Sequence, residues 1–245
     1  MSNRTCTATL VIALVLAAIP AWSYKGSGDG KLIDSGSFGI FVRGRRVGTE
    51  TFSVQQKSDS STIAAQLKIE DGNDRATQHS ELQLASNGDL RHYDWHETIP
   101  EKAQATVIYK DEFLVETVIS GPGKPVERAF MMPPSTVILD DFFTHRQILL
   151  WRYLATFCGP TVTPQGCKLE PAKFGVLMPR EQATAMVSVT YNGKERLAIR
   201  GAQQELDRFT LQTDEKTWTF WLEGAYPFKM VRILVPVDGV EVLRD

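Results

Sequence analysis

Residues 139–160 read LDDFFTHRQILLWRYLATFCGP, and they are either the start of a catalytic constellation or a helix built to be buried. Asp140, Asp141 and His145 crowd the beginning of the stretch. Pro133-Pro134 precede it and Gly159-Pro160 follow it, so the spacing predicts a helix over about 141–156, with Asp140 or Asp141 capping the first free amides. On a 3.6-residue period Phe142, Phe143, Leu149, Leu150, Tyr153, Leu154 and Phe157 fall on one broad stripe, while Thr144, Gln147 and Arg152 point elsewhere. Full burial of each large apolar side chain gains about 1.5–3 kcal/mol. Such a helix must pack against something. Asp141 and His145 are four residues apart, hence neighbours on the helix surface, and an acid in the first turn is favoured by the aligned amide dipoles whether or not chemistry follows.

The flanking sequence is a run of short strands. From Ser37 onward, segments of period 2 alternate with turn signals every 8–12 residues or so. Phe38, Ile40 and Val42 alternate with Gly39, Phe41 and Arg43 before Gly44 turns the chain. Asn87-Gly88 and Asn192-Gly193 predict two-residue hairpins, because both central positions of that turn need positive φ. Asp71-Gly72, Gly121-Pro122-Gly123 and Asp238-Gly239 act in the same way. About eight strands then precede Pro133 and about seven follow Pro171. Nothing between them supplies the helix that a parallel crossover needs, so the sheet is expected to be an antiparallel meander. In the closing strands Trp218, Phe220 and Leu222 oppose Thr217, Thr219 and Trp221, and Met230, Arg232 and Leu234 oppose Val231, Ile233 and Val235. A sheet with bulk on both faces has to curl or close. The expected fold is therefore mainly β: a large antiparallel meander curled into a half-barrel or barrel, with the one substantial helix packed on its concave side.

Composition sets the context. The 245 residues are 42% apolar and 23% charged, which suits a folded domain. Residues 1–23 read as a secretory signal: Arg4 is followed by the apolar run Ala8–Ile19 and by Ala21-Trp22-Ser23 with small residues at the positions a signal peptidase reads. That run is shorter than the roughly 20 residues of a bilayer-spanning helix. Residues 24–35, including the Gly-rich GSGDGK, are expected to be a flexible linker before a single β-rich domain over 36–245. Within it an N-terminal meander is expected over about 36–131, the helix and a cysteine loop over about 139–168, and a C-terminal meander over about 172–244. Cleavage would remove Cys6 and leave Cys158 and Cys167, which are expected to pair as a disulfide in an oxidising compartment. Twenty-seven Lys and Arg against 29 Asp and Glu give no basic excess, which argues against nucleic acid as a partner. The cluster Arg43-Gly44-Arg45-Arg46 reads as a solvated hairpin tip.

No reaction is dictated by motif. A Gly-x-Ser-x-Gly elbow, a His-Glu-x-x-His zinc pattern and a phosphate loop are all absent, and no cofactor or catalytic residue is assigned. In HYDWHE, residues 92–97, His92, Asp94 and His96 share one strand face and form a weak metal-ligand candidate. If Tyr93 and Trp95 are the buried pair, the histidines are merely solvated.

The opening strands FGIFVRGRRVGTETFSV (Phe38 to Val54) and the closing WTFWLEGAYPFKMVRILVPVDGVEVLRD (Trp218 to Asp245), with an export signal, resemble a group of uncharacterised exported bacterial proteins. Their sheets are similar to the periplasmic lipoprotein-carrier architecture, a half-barrel over an apolar cavity. The resemblance implies the fold and carries over no binding or catalytic residue. With the apolar helix beside a curled sheet, the expectation is an exported, periplasmic or extracellular binding or carrier protein, not an enzyme, that holds an apolar or lipid-like ligand against Phe142, Phe143, Leu149, Leu150, Tyr153 and Leu154. The alternative is a structural or interaction module of the envelope with a self-filled core, a protein partner and no small-molecule ligand. A hydrolase would need His145 or His92 at the base of a cleft.

Overall fold

The computed structural model describes residues 30–72, 74–159 and 167–245; the expected signal, the first half of the expected linker and most of the cysteine loop lie outside them. In chain order the elements are β1 (Lys31–Val42), β2 (Arg45–Gln56), β3 (Ser60–Asp71), β4 (Asp74–Ala85), β5 (Leu90–Ile99), β6 (Ala103–Lys110), β7 (Phe113–Ser120) and β8 (Val126–Phe130). Then come β9 (Val137–Ile138), α1 (Phe143–Cys158), β10 (Ala172–Met178), β11 (Ala183–Ile199), β12 (Ala202–Gln212), β13 (Thr217–Leu222), β14 (Met230–Val235) and β15 (Val240–Arg244). A 3-10 turn at Pro179–Glu181 links β10 to β11.

All fifteen strands form one sheet in the order β8-β7-β6-β5-β4-β3-β2-β1-β15-β14-β13-β12-β11-β10-β9. Each half of the chain is a meander, and the halves join where the first and last strands pair, Phe38 opposite Arg244 and Val42 opposite Val240. The edges β8 and β9 do not pair with each other, so the curl stays open. One core cluster takes side chains from both halves and from the helix, among them Phe38, Ile63, Tyr93, Leu149, Phe209 and Ile233. The sheet therefore wraps around α1. Alternation picks the concave face: in β2 Phe52 and Val54 are buried while Thr51 is exposed and Ser53 only half-buried. Trp221 and Val231, pointing the other way, are covered by a small outer cluster with Ile199 and Leu206.

Four expectations need correction. The sheet has one parallel pair, β9 with β10, and α1 is the crossover between them; a strand of two residues leaves no period to read. Asn192-Gly193 makes no hairpin but a register shift inside the 17-residue β11, with Gly193 at φ 84°, because the same positive φ serves a bulge. The β11–β12 hairpin turns instead at Arg200-Gly201, both at positive φ. The first strand begins at Lys31 rather than near 36, since Leu32 and Asp34 already pair with β2. Finally α1 runs Phe143–Cys158, later than expected, and neither Asp140 nor Asp141 caps it.

Candidate functional site

What caps α1 is a side chain from the sheet. Glu50 of β2, fully buried, accepts from the amides of Phe143 at 2.6 Å and Thr144 at 2.9 Å, and from the Thr144 hydroxyl. Burial raises its pKa, against the hydrogen bonds of Thr144 and Phe143 and the charge of Arg146, which lower it. One turn along, the Gln147 amide donates to Asp34 Oδ2 at 2.8 Å and its oxygen accepts from the Met230 amide at 3.2 Å. Asp34 in turn receives both terminal nitrogens of Arg244, at 2.6 and 3.1 Å. Gly36 makes room for that guanidinium, since a Cβ there would lie 3.0 Å from Arg244 Nη2. Thr144 and Gln147, expected to point away from the core, are thus buried with partners. These residues pin the helix to β1, β2 and β14, on both sides of the β1–β15 seam of the two meanders.

Beyond this seam the helix and sheet part. A pocket of about 310 Å³ opens beside the C-terminal half of α1, walled by Ile148, Trp151, Arg152, Leu154 and Ala155 on one side and by Ile33, Val54, Ile63, Leu82 and Leu84 on the other. Ser61, Ser86, Asn87, Gly88, Val137 and Ile138 of β9 and the Tyr226–Phe228 loop also border it. Trp151 is held by its indole N–H on the Phe228 carbonyl at 3.0 Å. Of the six helix residues expected to line a cavity, Leu154 does. Phe142, Phe143, Leu149, Leu150 and Tyr153 are closed in the core, Tyr153 edge-on to Phe209 at 6.0 Å. The stripe they form faces packed strands; the pocket takes the adjacent stripe 148, 151, 152, 155. That spacing was visible in the sequence, but a mixed stripe carrying Arg152 reads as a solvated face.

The acid and histidine that open the helical stretch lie in a second buried group. Tyr93 donates to Asp140 at 2.7 Å, and burial pushes the Asp140 carboxyl up to about 6, against the Tyr93 hydrogen bond. Glu116 of β7 is buried with neither oxygen hydrogen-bonded; burial, and secondarily Asp140, push it to about 7. His145 is buried beside Tyr93 and Phe142, its pKa lowered to about 3 chiefly by burial. Its Nε2 is 3.5 Å from the Ser80 hydroxyl, and Nδ1 has no partner. A catalytic triad needs an acceptor there to orient the ring, and this pair is sealed from solvent. Asp141, by contrast, is exposed and pairs with Arg180.

Tyr93 and Trp95 face the core, and His92, Asp94 and His96 the outer surface. Asp94 accepts from His92 at 2.5 Å, and His96 stacks on His79 with ring centroids 4.7 Å apart. Among the described residues no three His, Cys, Asp or Glu side chains are placed to hold a metal ion; four residues of strand separate His92 from His96 by roughly 13 Å. Cys158 and Cys167 are at disulfide distance, Cα to Cα 5.2 Å. Among the described residues no helix is long and apolar enough to cross a membrane.

No family model matches the chain, and no curated protein matches it in sequence. Among solved structures it is similar to a β-barrel-like protein from Brucella abortus, of a domain of unknown function, DUF1849. The TM-score is 0.54 at 6% identity, over 87% of this chain and 95% of that one. At such identity the likeness is one of fold: this chain has a β-barrel-like architecture.

Proposed function

We propose that the protein is an exported binding or carrier protein of the cell envelope that holds one apolar or lipid-like molecule between its curved sheet and α1. The observation that carries the reading is the pocket of about 310 Å³ whose opposite walls, from β1 to β4 and from the helix, are largely aliphatic. Its volume lies at the lower end of the range for small-molecule sites, about 300–1,000 Å³. The signal-like start and the paired cysteines support export, and the resemblance to the periplasmic lipoprotein carriers agrees with both. The reading assigns no catalytic residue. A second reading, an envelope interaction module without a ligand, draws on the fully closed packing around Phe142, Leu149, Leu150 and Tyr153.

Native mass spectrometry of the exported protein purified without detergent separates the two. An extra mass that leaves on solvent extraction, is apolar in composition and is missing from Ala155→Trp supports the carrier. Ala155 is exposed and borders the pocket, so an indole there fills the site without touching the core. A clean unliganded mass in wild type and variant alike refutes it and leaves the module.

A further inference from the structure

We propose that the molecule held in this pocket is a single-chain amphiphile with one anionic head group, a carboxylate or a phosphate monoester, and that Arg152 binds the head. The inference rests on reading the pocket as a binding site and adds the charge, polarity and chain number of its occupant.

Arg152 is the one charged side chain among the described residues that line the pocket. It is half-buried, and its Nη1 donates to the Gly88 carbonyl at 3.0 Å, a bond that fixes the guanidinium beside the β4–β5 turn and leaves most of its five donors free. No carboxylate is paired with it among the described residues. Burial lowers the Arg152 pKa, against the charge of Asp89, whose carboxylate accepts from the Asn87 side-chain amide at 2.8 Å. A half-buried guanidinium whose charge no carboxylate meets at ion-pair distance among the described residues keeps donors to offer, and a planar fork of donors matches the oxygens of a carboxylate or phosphate. An anion brought by the ligand would take the donors that the Gly88 carbonyl leaves open.

Polarity is segregated in the same sense. Ser86, Asn87 and Gly88 of the β4–β5 turn lie at the Arg152 end, while Val54, Ile63, Leu82, Ile138 and Leu154 offer a head group no partner; Gln56, Ser61 and Thr136 also line the pocket and bring no charge. The occupant must then be amphipathic, head toward the turn and tail between sheet and helix. Its size agrees: a pocket of about 310 Å³ stands at the small end of ligand sites, about 300–1,000 Å³, and favours one chain over two.

The test is direct binding of laurate, dodecyl phosphate and dodecanol to the delipidated mature protein by calorimetry, with wild type, Arg152→Gln and Arg152→Lys. The expected result is that the two anions bind about ten-fold or more tightly than the alcohol, as one charge-assisted contact implies. Arg152→Gln should remove that preference while dodecanol still binds, and Arg152→Lys should restore part of it. The ratio of laurate to dodecyl phosphate tells a fatty-acid head from a phosphate head. Equal binding of all three ligands, or an anion preference that survives Arg152→Gln, overturns the Arg152 assignment and keeps the pocket. Binding of none overturns the carrier reading itself, and this inference with it.

Discussion

Removing the carboxylate of Glu50 should detach the start of α1 from the sheet. Glu50→Ala leaves three donors, the amides of Phe143 and Thr144 and the Thr144 hydroxyl, without their acceptor, in a site closed to water. Each buried donor so orphaned costs about 1–3 kcal/mol. Two effects offset part of that sum: the buried carboxylate resists ionisation, and the Thr144 hydroxyl can turn to another acceptor. We expect a net loss of about 3–4 kcal/mol, a large share of the 5–15 kcal/mol typical of a whole domain. Glu50→Gln keeps an oxygen for Thr144 but sets an amide nitrogen against the Phe143 N–H, for a loss of about 1–2 kcal/mol. Guanidinium unfolding followed by far-UV and tryptophan signals measures both. Combining Glu50→Ala with Thr144→Val should be less destabilising than the sum of the two by about 1 kcal/mol or more, because they share a bond. If Glu50→Ala stays within about 0.5 kcal/mol of wild type, the ordinary range of an inert surface change, the cap contributes nothing and the reasoning fails.

Further outcomes follow from the same buried groups. Glu116, with a folded pKa of about 7 against 4.5 unfolded, favours folding fully below pH 4.5, and that contribution is lost as pH rises to about 7. The interval corresponds to about 3 kcal/mol; Glu116→Gln should therefore be more stable than wild type at pH 8 and no more stable at pH 4.5. Urea midpoints across that range, compared pairwise so that the Asp140 and His145 contributions cancel, check it. Arg244→Met strands the Asp34 carboxylate, itself 1% exposed, and should cost about 3 kcal/mol, little changed by 0.5 M salt because the pair is shielded from ions; thermal unfolding at two salt concentrations reads both. Reducing the Cys158–Cys167 pair, whose members are 9 positions apart, should lower unfolding free energy by about 2.5 kcal/mol, seen as a shifted denaturant midpoint with and without reductant.

How far the sequence could be read depends on the range of each interaction. Eight strands before Pro133 and a helix near 141–156 are written in local periodicity and punctuation, and the structure has both. Reading breaks down where one signal serves two geometries, as at Asn192-Gly193, or where an element is too short to have a period, as at β9. Some missed partners did leave a trace: Glu50 stands in phase with Phe52 and Val54, Asp34 with Phe38 and Ile40, and Glu116 with Leu114. A charge on the core-facing phase announces a buried polar group. The helix partners of Glu50 and Asp34, 93 and 113 residues away, leave no such mark.

By itself, then, the sequence determined the element types, the antiparallel run and the need for the sheet to curl around a buried helix, because alternation, helical period and turn chemistry act between near neighbours. Which helix stripe faces packed strands and which faces the pocket, which carboxylate caps α1, and where Arg152 stands were decided only in the tertiary structure. Those depend on the accumulated twist of fifteen strands and on the pairing of β1 with β15, which set the curvature and so the distance between walls that are remote along the chain.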